Sequence, residues 1–235
     1  MTLLSTHGLT KHFGGLQAVS GVDFDLPEGQ VRALIGPNGA GKTTLVGMIC
    51  GRIPPSSGNV QFDGQDVTAL PAHKRILRGM AYTFQITSVF ARLPVGENVA
   101  LAARRRLQGA EVKNAVEAAL LRVGLADRAG EDAGNLSYGH QRLLEIAMGL
   151  VQNPRLLILD EPTQGLAEGE VDAFKALIRE LSAEATILLI EHNMNVVMET
   201  ADQVTVLNFG EVLAEGTPAE IRANDAVQAA YLGTG

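Results

Sequence analysis

The stretch GPNGAGKTT, from Gly36 to Thr44, decides the fold of this chain of 235 residues. It matches the pattern G-x-x-x-x-G-K-[ST], follows the apolar run VRALI and precedes the helical pattern TTLVGMICG. Glycines allow the backbone N–H groups of such a loop to converge on phosphate oxygens. The partial positive charge of the following helix N-terminus adds to this attraction. The sequence therefore predicts a phosphate-binding loop between a strand and a helix.

Two side chains of this loop carry specific chemistry. We expect Lys42 to supply positive charge to the β- and γ-phosphates of a nucleoside triphosphate, and Thr43 to offer its hydroxyl to Mg²⁺. A chance glycine-rich turn is the alternative, and the strand and helix on either side of the motif disfavour it. The residues expected to hold the nucleotide are Gly36, Pro37, Asn38, Gly39, Ala40, Gly41, Lys42, Thr43 and Thr44.

A second apolar run, RLLILDEP, ends in Asp160 and Glu161. Uninterrupted apolar residues indicate a central buried strand, and its carboxylates should emerge at the edge of the sheet where ligands bind. Asp160 suits the coordination sphere of Mg²⁺, and Glu161 is placed to polarise the water that attacks the γ-phosphate. Two acids in a surface turn are the alternative, which the phosphate loop makes less attractive.

Two further polar residues end strand patterns: Gln85 in MAYTFQ and His192 in TILLIEH. Gln85 could contact Mg²⁺ or the attacking water, and His192 could bond the γ-phosphate. Position alone leaves a second interpretation open for His192, because a single histidine after a strand is usually a capping or core residue. The other histidines lack metal-ligand spacing, so we predict no zinc site.

Composition excludes some classes of function. The net charge of −7 and the isoelectric point of about 5.2 argue against a nucleic-acid binder, which would need a basic face. The longest apolar runs are the length of strands and fall well short of the roughly 18 residues of a membrane span. If the chain works at a membrane, we expect other chains to span it. Cys50 follows an apolar helical pattern and is interpreted as a core residue.

Short apolar runs alternate with helical patterns, which predicts an α/β fold with a mostly parallel sheet and antiparallel β elements near the N-terminus. From residue 87 to 154 only helical patterns occur, so we predict a helical subdomain there, inserted into an α/β nucleotide-binding core of residues 1–86 and 155–235. The candidate strands are GVDFDL, VRALIG, NVQFDG, MAYTF, LLILD, TILLIEH and QVTVLNFG.

Together these motifs resemble the nucleotide-binding subunits of ABC transporters over essentially the whole chain. The resemblance implies a P-loop NTPase core and ATP hydrolysis with ATP and Mg²⁺ as cofactors. It implies that Phe13, before the core, stacks on adenine; a core position for Phe13 is the alternative. It also implies catalytic roles for Glu161, His192 and Gln85, and Mg²⁺ contacts from Thr43, Gln85 and Asp160.

LSYGHQ, from Leu136 to Gln141, occupies the place of the family's LSGGQ signature. Subunits of the family pair head to tail, so the signature of one closes over the ATP of the other. The resemblance assigns this contact to Ser137, Tyr138 and Gly139, and a hydroxyl and N–H groups at a helix N-terminus suit a phosphate. His140 departs from the usual Gln, and Ala167 departs from the Asp or Asn that usually ends the D-loop.

Finer motifs narrow the resemblance to the ATPases of branched-chain amino acid importers, the LivG type. These motifs are KHFGGLQAVSGVDF, LSYG, LEIAMGL, IEHNMNVV and AAYLG. The implied partners are a second ABC ATPase subunit (identical or not), two membrane permeases and, indirectly, an extracytoplasmic solute-binding protein. The chain would lie peripherally on the cytoplasmic face of the inner membrane and would power import of branched-chain amino acids or a related small solute.

Two other functions stay open at this point. A lipopolysaccharide-export ATPase shares the compact size and the YLG ending but not FGGLQAV. A non-transport ABC ATPase usually carries two ATPase domains or a long insertion, which this chain lacks. The apolar residues after Gln85, namely Val89, Phe90 and Leu93, either dock a permease helix or belong to the subdomain core.

Overall fold

The computed structural model describes residues 1–83 and 88–232, with side chains up to residue 230, so the prediction for Gln85 lies outside the described residues. Short 3₁₀ turns at Ala126–Arg128 and Ala133–Asn135 join two of the helices. The elements in chain order are β1 (Thr2–Phe13), β2 (Leu16–Pro27), β3 (Val31–Ile35), α1 (Lys42–Ile49), β4 (Ser57–Phe62), β5 (Gln65–Asp66), α2 (Ala72–Leu77), β6 (Met80–Tyr82), α3 (Val95–Ala103), α4 (Ala110–Arg122), α5 (Tyr138–Leu150), β7 (Leu156–Asp160), α6 (Glu168–Leu181), β8 (Thr186–Ile190), α7 (Met194–Thr200), β9 (Gln203–Asn208), β10 (Glu211–Gly216), α8 (Pro218–Arg222) and α9 (Asp225–Leu232).

Two sheets organise these elements. The larger has the order β10-β9-β3-β8-β7-β6, and its strands run parallel except for the edge strand β10. The smaller has the order β2-β1-β4-β5 and is antiparallel. The predicted α/β fold, with a mostly parallel sheet and antiparallel elements near the N-terminus, is confirmed.

The larger sheet lies between two apolar layers, as the alternation of side chains along β7 shows. Leu157 and Leu159 pack with the helical layer that includes α5 and α6. Leu156 and Ile158 pack on the opposite face with α1 and the smaller sheet. Burial on both faces explains why the strand is apolar without interruption. The carboxyl end of β7 lies at the carboxyl edge of this sheet, next to the phosphate loop.

Several local features follow directly from residue types. Tight turns join β4 to β5 and β9 to β10, which pair antiparallel. Thr217 caps α8, whose first residue is Pro218. Cys50 is buried, as expected of a core residue, and this burial raises the pKa of its thiol to about 12. The sequence did not predict β1, whose register shifts at Thr2/Leu4 and Thr6/Leu9 break the two-residue apolar alternation.

Helices α3, α4 and α5 occupy the region predicted to be helical. Their buried apolar side chains belong to the same cluster as Leu157 and Leu159 of the sheet. Within the described residues, no helix is long and apolar enough to cross a membrane.

Candidate functional site

A cleft of ≈ 470 Å³ opens at the carboxyl edge of β3, β7 and β8. Its walls combine the phosphate loop with the acids that follow β7 and the histidine that follows β8. The sequence predicted these groups from separate stretches of chain, and the structure brings them into one place. The predicted site residues that line it are Phe13, Asn38, Gly39, Ala40, Gly41, Lys42, Thr43, Thr44, Asp160, Glu161 and His192.

The phosphate loop packs so tightly that two of its glycines are obligatory. A Cβ on Gly36 would lie 2.2 Å from the carbonyl oxygen of Leu207, and one on Gly41 would lie 2.5 Å from that of Ala18. Gly39 has a φ of +79°, and a Cβ added there would meet nothing within 4 Å, so this part of the loop faces open space. One side of the loop backbone is thus packed against the protein and the other is open, as binding of a phosphate requires.

Lys42 lies at the start of α1 with its ammonium group turned into the loop. Its Nζ donates to the carbonyl oxygens of Gly36 at 2.6 Å and Pro37 at 3.1 Å. Burial lowers the pKa of this ammonium, and the nearby carboxylates of Glu161 and Asp160 partly oppose that effect. A triphosphate would supply further negative charge, so the donor set of this loop fits a nucleotide.

Asp160 ends β7 and is 3 % exposed. Its Oδ2 accepts a 2.8 Å hydrogen bond from the hydroxyl of Tyr82, and its carbonyl oxygen accepts one of 2.9 Å from Arg142. Burial raises the pKa of its carboxyl, and the negative charge of Glu161 raises it further. The hydrogen bond from Tyr82 acts in the opposite direction and lowers the pKa. A divalent cation bound by Asp160 would offset the charge of this buried carboxylate, so the residue fits Mg²⁺.

Glu161 follows directly and has a left-handed backbone with φ +50°. Its N–H donates to the carbonyl oxygen of Ile190 at 2.9 Å, which ties the acid to the end of β8. Its Oε1 lies 2.8 Å from Nε2 of His192. A strained residue held by neighbouring structure is typical of functional sites. The two residues predicted to act on the γ-phosphate and the attacking water are therefore direct neighbours.

Glu191 was not among the predicted residues, yet it organises this part of the site. It is 3 % exposed, and its Oε1 accepts from the N–H of Thr163 at 3.0 Å and from the Thr163 hydroxyl at 2.6 Å. Its Oε2 accepts from the backbone N–H groups of His192 at 2.9 Å and Asn193 at 3.1 Å. One buried carboxylate thus fixes the backbone on both sides of the Glu161–His192 pair.

Aromatic side chains mark the other end of the cleft. Phe13 is 48 % exposed, which disagrees with the alternative that it is a core residue. Phe209, which the sequence reasoning missed, also lines the cleft and is 87 % exposed. It occupies the β9–β10 turn, which docks on the phosphate loop through a 2.9 Å hydrogen bond from the N–H of Gly210 to Ala40.

Replacing Phe209 with asparagine is expected to stabilise the fold by about 1 kcal/mol. Phe209 and Gly210 have φ values of +48° and +82°, as in a type I′ turn, and asparagine adopts the first position at lower cost than a bulky side chain. A thermal melt should show a rise of roughly 2–4 °C. Phe90→Asn, at an exposed phenylalanine without positive φ, serves as the control and should give no rise. A lower melting temperature for Phe209→Asn would contradict the argument.

None of the described residues that line the cleft belongs to the signature stretch. Ser137 caps α5, and its Oγ accepts the N–H of His140. A Cβ on Gly139 would lie 2.6 Å from Leu166, and one on Gly165 would lie 2.6 Å from the ring of Tyr138. The signature therefore packs against residues 164–167 of the same chain and not against the chain's own phosphate loop.

Comparison with known proteins agrees with this geometry. The family profile described as "ABC transporter" matches residues 19–164, and that described as "Branched-chain amino acid ATP-binding cassette transporter" matches residues 211–235. The high-affinity branched-chain amino acid transport ATP-binding proteins BraF of Pseudomonas aeruginosa and LivG of Escherichia coli are similar. They are 42 % and 39 % identical, with 98 % of this chain and 98 % of each relative covered.

A lipopolysaccharide export system ATP-binding protein, LptB of Haemophilus influenzae, is more distant at 30 % identity, with 99 % of this chain and 98 % of the relative covered. Among solved structures, the ADP conformation of MJ1267, an ATP-binding cassette of an ABC transporter, superposes with a TM-score of 0.91. It is 29 % identical, and the match covers 99 % of both chains. The chain belongs to the ABC transporter family, and its fold is that of the ATP-binding cassette.

Proposed function

We propose that this chain is the ATP-hydrolysing subunit of an ABC importer for branched-chain amino acids or a related small solute. The convergence of Lys42, Glu161 and His192 in one cleft carries the proposal. The cleft contains a phosphate cradle, a carboxylate for the attacking water and a histidine for the γ-phosphate. ATP binding would join two subunits, and hydrolysis would release them.

The nucleotide is held by the phosphate loop, with Phe13 on the adenine ring. Thr43 and Asp160 would hold Mg²⁺, together with Gln85, which lies outside the described residues. Mg²⁺ supplies positive charge that offsets the charge of the β- and γ-phosphates. Burial makes the carboxylate of Asp160 costly to keep charged without such a partner.

Glu161 acts as the general base and accepts a proton from the attacking water at a carboxylate oxygen. Nε2 of His192 lies 2.8 Å from Oε1 of Glu161, and an N–H on this nitrogen can turn from Glu161 to a γ-phosphate oxygen. The buried Glu191 holds the backbone of His192 in place for this exchange.

The signature completes the site of a second subunit. Ser137 and Gly139 lie at the N-terminus of α5 and away from the chain's own cleft, so they can close only over a nucleotide held by another chain. The partner is a second ABC ATPase, identical or not. This arrangement explains why a polar stretch with a capping serine precedes a largely buried helix.

The import assignment draws on the relatives. Proteins named for branched-chain amino acid transport are 39–42 % identical to this chain, against 30 % for the lipopolysaccharide export protein. Import is therefore favoured over the export alternative and over a non-transport role. Two membrane permeases and an extracytoplasmic solute-binding protein would complete the transporter, and the chain would lie peripherally on the cytoplasmic face of the inner membrane.

The segment after residue 87 offers a surface for a permease helix. Phe90 is 56 % exposed, while Val89 and Leu93 are partly buried. Asn98, which is fully buried, accepts from the N–H of Phe90 at 2.7 Å and donates to the carbonyl oxygens of Phe90 and Leu93. The segment is thus held rigidly with one apolar side chain outward, as a docking site requires.

Adding ATP to Glu161→Gln is expected to convert the chain into a dimer, because the variant keeps the nucleotide cradle but cannot hydrolyse the ATP that joins the subunits. Light scattering, with and without the partner ATPase, measures the mass. Glu161→Gln combined with Lys42→Ala should stay monomeric, since it lacks the charge that holds the triphosphate. A Glu161→Gln variant that stays monomeric with ATP and the partner present would count against the proposal.

A further inference from the structure

His140, which stands where the family usually has glutamine, has three polar partners. Its Nδ1 lies 2.9 Å from Oγ of Ser137 and 3.1 Å from Nη1 of Arg128. Its Nε2 lies 3.0 Å from Oε1 of Glu170, which is on α6. The ring therefore bridges the first turn of α5 and the first turn of α6.

The chemistry of these partners fixes the tautomer. A guanidinium group can only donate, so Nδ1 must accept the hydrogen bond from Arg128. A carboxylate can only accept, so we expect the hydrogen of the ring on Nε2, facing Glu170. Because Nδ1 is an acceptor, the hydroxyl of Ser137 donates its hydrogen to the same atom. The hydrogen-bonding role of each ring nitrogen is thus set by a charged neighbour, Arg128 at Nδ1 and Glu170 at Nε2.

Glu170 extends the connection to the D-loop, residues 164–167. Its Oε2 accepts the N–H of Ala167 at 2.8 Å at the N-terminus of α6. A continuous set of polar contacts therefore runs from the backbone of Ala167 through Glu170 and His140 to the hydroxyl of Ser137. Ala167 has no polar side chain of its own, so this connection starts from the backbone.

We propose that His140 is a positioning residue that orients the Ser137 hydroxyl and couples it, through Glu170, to the D-loop of the same subunit. The proposal rests on the proposed role of Ser137 at the partner's ATP. When the Ser137 hydroxyl turns its hydrogen from Nδ1 to a phosphate oxygen, Arg128 still donates to Nδ1. The rotation of the hydroxyl therefore leaves no ring nitrogen without a hydrogen-bond partner. A displacement of Ala167 would shift Glu170 and His140, and would thereby change the orientation of the Ser137 hydroxyl at the partner's nucleotide.

Charged groups surround this connection on each packed element. Arg128, in the turn before α5, also pairs with Glu131 at 3.6 Å. Glu170 is the acid of α6 that faces the ring, whereas Glu168 is exposed and lies on the same helical turn. Glu168→Gln therefore removes the same charge from the same helix N-terminus without touching His140, which makes it the matched control.

Glu170→Gln is the sharpest test variant. Its amide oxygen can still accept the N–H of Ala167 and preserve the cap, while its NH₂ group faces the Nε2–H of His140 and breaks the connection. In the ¹⁵N spectrum of the isolated chain, we expect His140 to be in the Nε2–H tautomer. This preference should be weakened in Glu170→Gln, where only the Nδ1 contacts with Arg128 and Ser137 still favour it, and kept in Glu168→Gln. Two equally populated tautomers in the unchanged chain would overturn the proposal.

The functional test measures ATP-driven association in the Glu161→Gln background with the partner ATPase present. His140→Ala and Glu170→Gln should each raise the ATP concentration for half-association by about three- to thirtyfold, and the double variant should be no worse than the stronger single one. Glu168→Gln should match its parent. Unchanged association in His140→Ala, or additive losses in the double variant, would overturn the proposal. If Glu161→Gln itself fails to associate, the proposed function fails instead, and the tautomer measurement still decides on His140.

Discussion

Replacing Glu161 with glutamine is expected to lower the rate of ATP hydrolysis by roughly 10²- to 10⁴-fold, the range over which a general base contributes to a reaction. Glutamine keeps the size of the side chain and an oxygen that can accept from Nε2 of His192, so the site should keep its shape. It cannot take a proton from water. Nucleotide affinity should change little, because the phosphate loop and the Asp160 carboxylate are untouched. The measurement is steady-state turnover beside a separate nucleotide titration.

The result distinguishes Glu161 from its neighbour. Asp160 is bonded to Tyr82 and buried, whereas Glu161 faces the cleft beside His192. Loss of turnover with retained binding would place the base at Glu161. Glu168→Gln, which removes an exposed acid seven residues further along the chain, should hydrolyse ATP like the parent. Turnover of Glu161→Gln near that of the parent would remove Glu161 from the mechanism.

Much of this site could be predicted because its parts are written as contiguous motifs. The phosphate loop needs glycines at positions where Cβ atoms would collide with Leu207 and Ala18, so its spacing is specific. The acids and the histidine follow strands that are apolar on both faces, and parallel strands end at one edge of a sheet. Contiguous patterns with a fixed relation to the sheet were therefore enough to bring Lys42, Glu161 and His192 together.

Other features depend on contacts between distant stretches and left no local signal. β1 was not predicted, because bulges interrupt its alternation and its stability comes from pairing with β2 and β4 on either side. The domain boundaries at residues 86 and 154 stay a prediction, since α5 shares its apolar cluster with the sheet. Phe209 lines the cleft only because its turn bonds to Ala40 of the phosphate loop, far away in sequence.

Glu191 is the clearest case of this kind. In the sequence it is one acid before a histidine, and only the fold shows that Thr163, 28 residues earlier, completes its set of partners. Carboxylates are rarely buried unless every oxygen is engaged. Four donors converge on Glu191, so its role is to connect the segment after Glu161 to the segment that carries His192.

Replacing Glu191 with alanine is therefore expected to lower the free energy of unfolding by at least about 3 kcal/mol, because several buried donors lose their acceptor at roughly 1–3 kcal/mol each. Turnover should fall by about tenfold or more even where the variant is folded, since small displacements of catalytic groups are costly. Urea unfolding and ATP hydrolysis below the transition measure the two effects separately.

Glutamine at the same position should be milder, and the reason is geometric. Its oxygen can replace Oε2 and keep the bonds to the backbone N–H groups of His192 and Asn193. Its NH₂ group can then donate to the hydroxyl of Thr163, which rotates to accept, so only the N–H of Thr163 loses its partner. Glu199→Ala, which removes an exposed acid with surface ion pairs, should cost less than about 1 kcal/mol. Equal stability of Glu191→Ala and Glu199→Ala would show that the four bonds to Glu191 do not hold the site together. Stability and turnover that both rise from Glu191→Ala through Glu191→Gln to the parent would show that these bonds position His192.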